Sequence, residues 1–140
     1  MLLPKKVKFR KWQKDRAGTK RLLRPDTRGT TLSFGSYGLK AQTGARITSN
    51  QIEAARKALV RNLTKVGKIW IRVFPDRPYT AKPAEVGMGK GKGDPQGYSF
   101  ELRPGRIIFE IDGVTDAVAR ESLRKAGTKL PVKVKVVSRD

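Results

Sequence analysis

The chain contains no cysteine and no histidine. The first absence excludes disulfides, thiolate metal sites and a thiol nucleophile. The second removes the commonest general base and the commonest metal ligand. Acidic residues are scarce as well, with 12 Asp plus Glu against 32 Lys plus Arg, a formal net charge of +20 on 140 residues. No apolar run approaches the roughly 18 residues of a membrane span. Residues 1–6 (MLLPKK) lack the apolar stretch of a secretory signal. Hydrophobic residues make up 37%, below the usual share of about 45–50%, yet a chain of this length still buries enough surface for one cored domain. What is abundant is positive charge. Self-repulsion on that scale calls for a polyanion, and each phosphate that a cation neutralises releases counterions and so favours binding to nucleic acid.

The charge is front-loaded. Residues 1–28 carry eleven Lys or Arg and two Asp. Phe9 and Trp12 lie among Lys5, Lys6, Lys8, Arg10, Lys11, Lys14 and Arg16. Such interleaving gives phosphates their counter-charges and offers rings on which an unpaired base can stack. The same rings could instead pin the segment to its own domain. Residues 18–29 are polar, rich in turn-formers and without periodicity, so they read as a linker. We therefore divide the chain into a basic extension with linker, 1–29, and a folded domain, 30–140.

Residues 31–42 alternate as a strand, with a parity change across Gly35 that predicts a bulge. A short turn over 43–46 leads to the best-signalled helix. Thr48 and Gln51 have capping-box spacing, with Ile47 and Ile52 as the hydrophobic staple around them. Ile52, Ala55, Leu59, Leu63 and Val66 form its apolar stripe, and Gly67 is the expected stop. Lys57, Arg61 and Lys65 fall on the opposite face with Arg56 at its margin, an arrangement suited to phosphates. In the next strand, 68–74, Ile69, Ile71 and Val73 point to the core while Lys68, Trp70 and Arg72 point away. Trp70 between two cations either lies against RNA or is covered by a neighbouring segment.

A Pro- and Gly-rich excursion, 75–97, follows that strand and carries Met88-Gly89-Lys90-Gly91-Lys92-Gly93 at its far end. Loops this long are usually functional or disordered, and glycines let the backbone pass close to another surface. It reads as a projecting finger for something negatively charged. Beyond it, a hairpin turning at Pro104-Gly105 should bury Ile107, Phe109 and Ile111. A second helix follows from about Thr115, with Val118, Ala119, Leu123 and Ala126 apolar and Gly127 as its stop, and then a strand through Val132, Val134 and Val136. The fold class is α+β, a single domain with two helices packed on a mostly antiparallel sheet. No chemistry of transformation is visible. The glycine stretch fits neither phosphate-loop pattern, because Gly91-Lys92 is followed by Gly93, Asp94 and Pro95 rather than by a helix-opening Ser or Thr. Glu110 and Asp112 share one strand face and read as a solvated edge. No catalytic residues, metal site or cofactor are expected.

Six stretches together resemble the L-sixteen family of large-subunit ribosomal proteins, whose archaeal and eukaryotic counterpart is called L-ten-e. They are MLLPKKVKFRK (1–11), SFGSYGLKA (33–41), ITSNQIEAAR (47–56), GKIWIRVFPDRPYTAKP (67–83), MGKGKG (88–93) and KLPVK (129–133). The match runs nearly end to end. The resemblance implies an α+β domain bound to 23S rRNA beside the site that receives aminoacyl-tRNA. It implies that the loop Met88, Gly89, Lys90, Gly91, Lys92 and Gly93 approaches the peptidyl-transferase region and the A-site tRNA, with P-site tRNA as a further candidate. Neighbouring large-subunit proteins are implied partners, and neither a membrane nor a homo-oligomer is. Localisation would be cytoplasmic, in the large subunit, with an organellar ribosome as the alternative. Two departures stand out. Many bacterial members carry a hydroxylatable Arg where this chain has Gly87, and the linker 18–29 looks longer than usual. A free RNA-binding factor would share the charge, whereas an RNA-modifying enzyme would need an acid–base constellation that the sequence lacks.

Overall fold

In the computed structural model, residues 1–13, 20–63, 66–89 and 91–139 are described. The elements in chain order are α1 (Lys20–Leu23), β1 (Tyr37–Ala41), β2 (Ala45–Thr48), α2 (Ser49–Leu63), β3 (Lys68–Ile71), β4 (Arg77–Ala81), β5 (Asp94–Leu102), β6 (Ile107–Asp112), α3 (Asp116–Gly127) and β7 (Val134–Ser138). All strand pairings are antiparallel. The strands form two sheets, ordered β3-β6-β1-β7 and β2-β5-β4. The α+β class stands.

Helix α2 starts where its local chemistry dictates. The Thr48 amide donates to Gln51 Oε1 at 2.9 Å and the Gln51 amide donates to Thr48 Oγ1 at 3.3 Å, which is the reciprocal capping box. Ile47 and Ile52 on either side are buried, as are Ala55, Leu59 and Leu63. The stripe ends there. Val66 lies beyond the helix and is 74% exposed, so the helical period no longer governs where its side chain points. Helices α2 and α3 pack on each other, and Leu59 and Leu123 join Leu39, Phe109 and Ile111 in one core. Each such side chain contributes roughly 1.5–3 kcal/mol when fully buried. On α3, Val118 is exposed rather than buried. Gly127 is the last helical residue and Thr128 the cap. A Cβ on Gly127 would come within 2.5 Å of Val134 Cγ2, so the glycine lets β7 approach the helix.

The expected hairpin over 98–111 is not formed. The turn is present, with Gly105 at φ +95° and the Arg106 amide donating to Arg103 O at 3.3 Å. It passes the chain from one sheet to the other, however. β5 pairs with β2 and β4, whereas β6 pairs with β1 and β3. The segment 43–46, expected as a turn, contributes to β2, whose Arg46 lies opposite Glu101. The expected strand over 31–42 is regular only from Tyr37, and β3 stops at Ile71, although Val73 is buried as anticipated. Val132 is buried ahead of β7 rather than in it.

The linker also differs from expectation. Residues 20–23 form a helical turn, and Leu22 is buried. That turn lies directly on Gly44, where an added Cβ would stand 1.8 Å from Leu22 O. Gly44→Ala must therefore push α1 away or shift β2. Overpacking of this kind costs about 1–3 kcal/mol, and urea unfolding should register a loss of that size.

Candidate nucleic-acid interface

Residues 1–13 form neither helix nor strand, and Lys5, Lys6, Lys8, Arg10 and Lys11 are all exposed. Their course is fixed by the base of the β4–β5 pair. Arg77 donates to Gln13 O at 3.2 Å and lays its guanidinium over the Trp12 ring, 5.4 Å from the centroid. The Lys92 ammonium donates to Trp12 O, and Lys11 Nζ donates to Lys92 O at 3.3 Å. Trp12 thus pins the segment through one ring face, as one of the two readings required. Phe9 is 59% exposed and carries only Lys8 over its ring, at 5.5 Å. Lys14 and Arg16 lie outside the described residues, as do Lys65 and Lys90.

The excursion 75–97 is more ordered than its composition suggested. β4 and β5 pair from Arg77↔Ser99 to Ala81↔Asp94, with an irregularity between Tyr79 and Thr80. Of the described residues, 82–89 and 91–93 project beyond the paired strands. Within that tip, a Cβ on Gly87, Gly89 or Gly91 would meet nothing within 4 Å, and Gly89 and Gly91 have φ of +98° and +95°. Met88 is fully exposed, and Lys82 Nζ donates to Gly89 O. At the base the packing closes again, since a Cβ on Gly93 would lie 2.6 Å from Ala81 O. The finger is therefore a strapped hairpin with an open glycine-rich end.

A cluster that the sequence reading missed sits beneath the strap. Glu101 Oε1 accepts from Arg77 at 2.7 Å and lies 3.5 Å from Arg46, while its Oε2 lies 3.6 Å from Arg21. Three guanidinium groups thus surround one carboxylate. Arg46 and Glu101 are cross-strand partners in β2 and β5, so only the register between distant segments reveals the cluster.

On α2, Lys57 and Arg61 are exposed. Arg56 is already engaged, with Nε donating to Glu53 at 3.0 Å. That hydrogen bond is the main reason the Glu53 carboxyl is lowered to about 2, burial opposing it. Arg56 therefore brings little uncompensated charge to this face.

The third predicted patch is mostly internal. Trp70 stacks on Phe34, with centroids 6.0 Å apart and planes at 18°, so a neighbouring segment covers it. Arg72 lies over the same Phe34 ring at 5.2 Å and hydrogen-bonds Glu110 Oε2. Only Lys68 of this set is exposed. Glu110 is fully buried, which corrects the solvated-edge reading. β6 is a central strand with both faces covered, and the 33–35 segment folds over it. The amides of Ser33, Phe34 and Gly35 donate to Glu110 Oε1 at 2.8, 3.0 and 3.1 Å. Burial pushes the Glu110 carboxyl up, but Arg72 and these three amides outweigh it and hold it below its ordinary value. Asp112 is lowered too, first by the Gly113 amide and then by Ser36.

Among the described residues no three His, Cys, Asp or Glu side chains gather as metal ligands, and no helix is long and apolar enough to cross a membrane. Among the described residues Asp26, Glu53, Glu101, Glu110, Asp116 and Glu121 hold arginines, while most of the lysines face outward. Such a layout defines a binding protein with surfaces suited to a polyanion. Comparison with known proteins narrows that class. Residues 4–137 match the family described as ribosomal protein L16p/L10e. The chain is 54% identical over 139 residues to the large ribosomal subunit protein uL16 of Afipia carboxidovorans, covering 99% of this chain and 98% of that one. It is 55% identical over 140 residues to its namesake in Caulobacter vibrioides, covering 99% and 94%. With the Maricaulis maris protein of the same name it shares 52% over 139 residues, covering 99% and 98%. The chain belongs to the ribosomal protein L16p/L10e family, whose members are structural components of the ribosome and not enzymes.

Proposed function

We propose that this chain is a structural constituent of the large ribosomal subunit that binds 23S rRNA and presents its β4–β5 tip to tRNA. The basic extension 1–29, the Lys57 and Arg61 face of α2, and Lys68 take rRNA phosphates. The tip Met88 to Gly93 reaches the A-site tRNA near the peptidyl-transferase centre, with P-site tRNA as a second contact. Neighbouring large-subunit proteins complete its surroundings. The observation that carries this reading is the strapped hairpin. It is tied to the cationic extension by Arg77, Lys92 and Lys11, while the space around Gly87, Gly89 and Gly91 is open, so that a Cβ on any of them would meet nothing within 4 Å. rRNA that holds the extension would thereby aim the tip.

Charge accounting provides the test. In filter binding to a 23S rRNA fragment, Lys57→Ala and Arg61→Ala should each flatten the logarithmic salt dependence by up to about 0.9. Arg72→Ala should leave the slope almost unchanged, because Glu110 already holds that charge, and should lower the melting temperature instead. Equal slope changes for all three would show that the α2 face has no special part in binding.

A further inference from the structure

Phe9, Lys11, Trp12, Gln13, Arg21 and Arg77 line a cleft of about 430 Å³, within the range of roughly 300–1,000 Å³ that accommodates small organic ligands. Its walls combine two features. Two aromatic rings stand exposed on it, Phe9 at 59% and Trp12 at 40%. One face of Trp12 rests on Arg77, which is held in turn by Glu101 at 2.7 Å and Gln13 O at 3.2 Å. The ring is therefore set in place before any ligand arrives. Cations gather around it, since Arg21, Arg46 and Arg77 all lie against the carboxylate of Glu101. Arg46 Nε, moreover, is buried without a hydrogen-bond partner.

We propose that this cleft receives one unpaired RNA nucleotide, its base stacked on Trp12 and Phe9 and its flanking phosphates on Lys11 and Arg21. The inference rests on the rRNA-binding reading above and adds to it a base-recognising site distinct from backbone neutralisation. A ring face is equally available to any base, so the site selects unstacked, single-stranded RNA over duplex rather than a particular sequence. It also links RNA capture to the hairpin. A base on Trp12 bears on the residue whose carbonyl accepts from Lys92 at the foot of the tip.

The test uses the full chain carrying Trp70→Phe, which leaves Trp12 as the only tryptophan. Two probes of equal phosphate count are titrated at low salt, a hexamer of oligo(rA) and an abasic ribose-phosphate hexamer. The oligo(rA) should quench Trp12 and bind roughly 5- to 100-fold more tightly, the range expected for one stacked base. Phe9→Leu, at a position whose side chain is mostly in solvent, should cut that advantage without changing affinity for the abasic probe. Trp12→Leu should abolish it. Equal affinity for both probes, or an advantage that survives both substitutions, would overturn the cleft while leaving phosphate binding intact. Failure of either probe to bind would overturn the cleft and the rRNA-binding reading together.

Discussion

Glu110→Ala should destabilise the fold by about 3–5 kcal/mol, the usual cost of leaving a buried charge without its partner. Whole domains are stable by only about 5–15 kcal/mol, so much of the protein should be unfolded at moderate temperature. Two losses coincide. Arg72 would be left without its carboxylate partner, and the amides of Ser33, Phe34 and Gly35 would lose the acceptor that they share. Gly35 gives way poorly, because a Cβ there would already lie 2.5 Å from Ile111 O. Glu110→Gln should cost less, since its amide oxygen can still accept from the three N–H groups. The pair also predicts a pH dependence. The Glu110 carboxyl is lowered in the folded state, so its contribution is fully present above the unfolded value of about 4.3 and is lost as pH falls through the folded value. Urea unfolding of the wild type should therefore weaken with acid in that window more steeply than Glu110→Gln does. A loss under about 1 kcal/mol for Glu110→Ala at neutral pH would mean that the ion pair is not the latch described here.

The second large effect should be functional rather than structural. Deleting residues 86–91 removes the open tip but keeps Lys92, Gly93 and the Ala81↔Asp94 pair that closes the hairpin. Six residues would still join the strands, which is ample for a hairpin connection. Shortening a loop relieves closure entropy slightly. Among the described residues the deleted stretch makes only the exposed hydrogen bond from Lys82 to Gly89 O and the local Val86 amide bond to Pro83 O. The melting temperature should accordingly move by less than about 4 °C, equivalent to under about 1 kcal/mol. Binding of A-site tRNA by reconstituted subunits should nevertheless weaken on the order of tenfold, because a hydrogen bond to a charged group such as Lys90 is worth about 1.5–3 kcal/mol. A large fall in melting temperature would place the tip among the structural elements. Unchanged tRNA binding would remove its proposed role.

The same distinction between local and distant chemistry explains how much of the protein was legible in its sequence. Helix α2 was readable because its cap, staple and stripe lie within residues 47–63. Ile107, Phe109 and Ile111 were readable because a two-residue period places them on one face. Pro104-Gly105 correctly announced a reversal of the chain, but a turn says nothing about which strands will pair, so a crossing between two sheets looked like a hairpin. Glu110 was misread because what buries it comes from residues 33–35 and 72, far away in the chain. Arg72 went the same way, a surface residue on paper that Glu110 draws inward, and of the two readings left open for Trp70 the stack on Phe34 fits cover by a neighbouring segment. The Arg21, Arg46, Arg77 and Glu101 cluster needed the β2–β5 register, which no local pattern carries. Within the candidate interface, Lys5 to Lys11, Lys57 and Arg61 were legible because exposure of a lysine or arginine is the default outcome.

The central claim, that the strapped hairpin delivers its tip to tRNA, is tested most directly by a photo-crosslinking amino acid at Met88. That side chain is fully exposed and packs against no other part of the protein, so the substitution leaves the fold alone. The labelled chain is assembled into large subunits, A-site tRNA is bound, and the adducts are mapped after irradiation. The account predicts crosslinks to the tRNA and to nearby 23S rRNA, with the tRNA adduct disappearing when the A site is empty. Subunits that incorporate the chain yet yield crosslinks only to proteins, or the same adducts with and without tRNA, would contradict it.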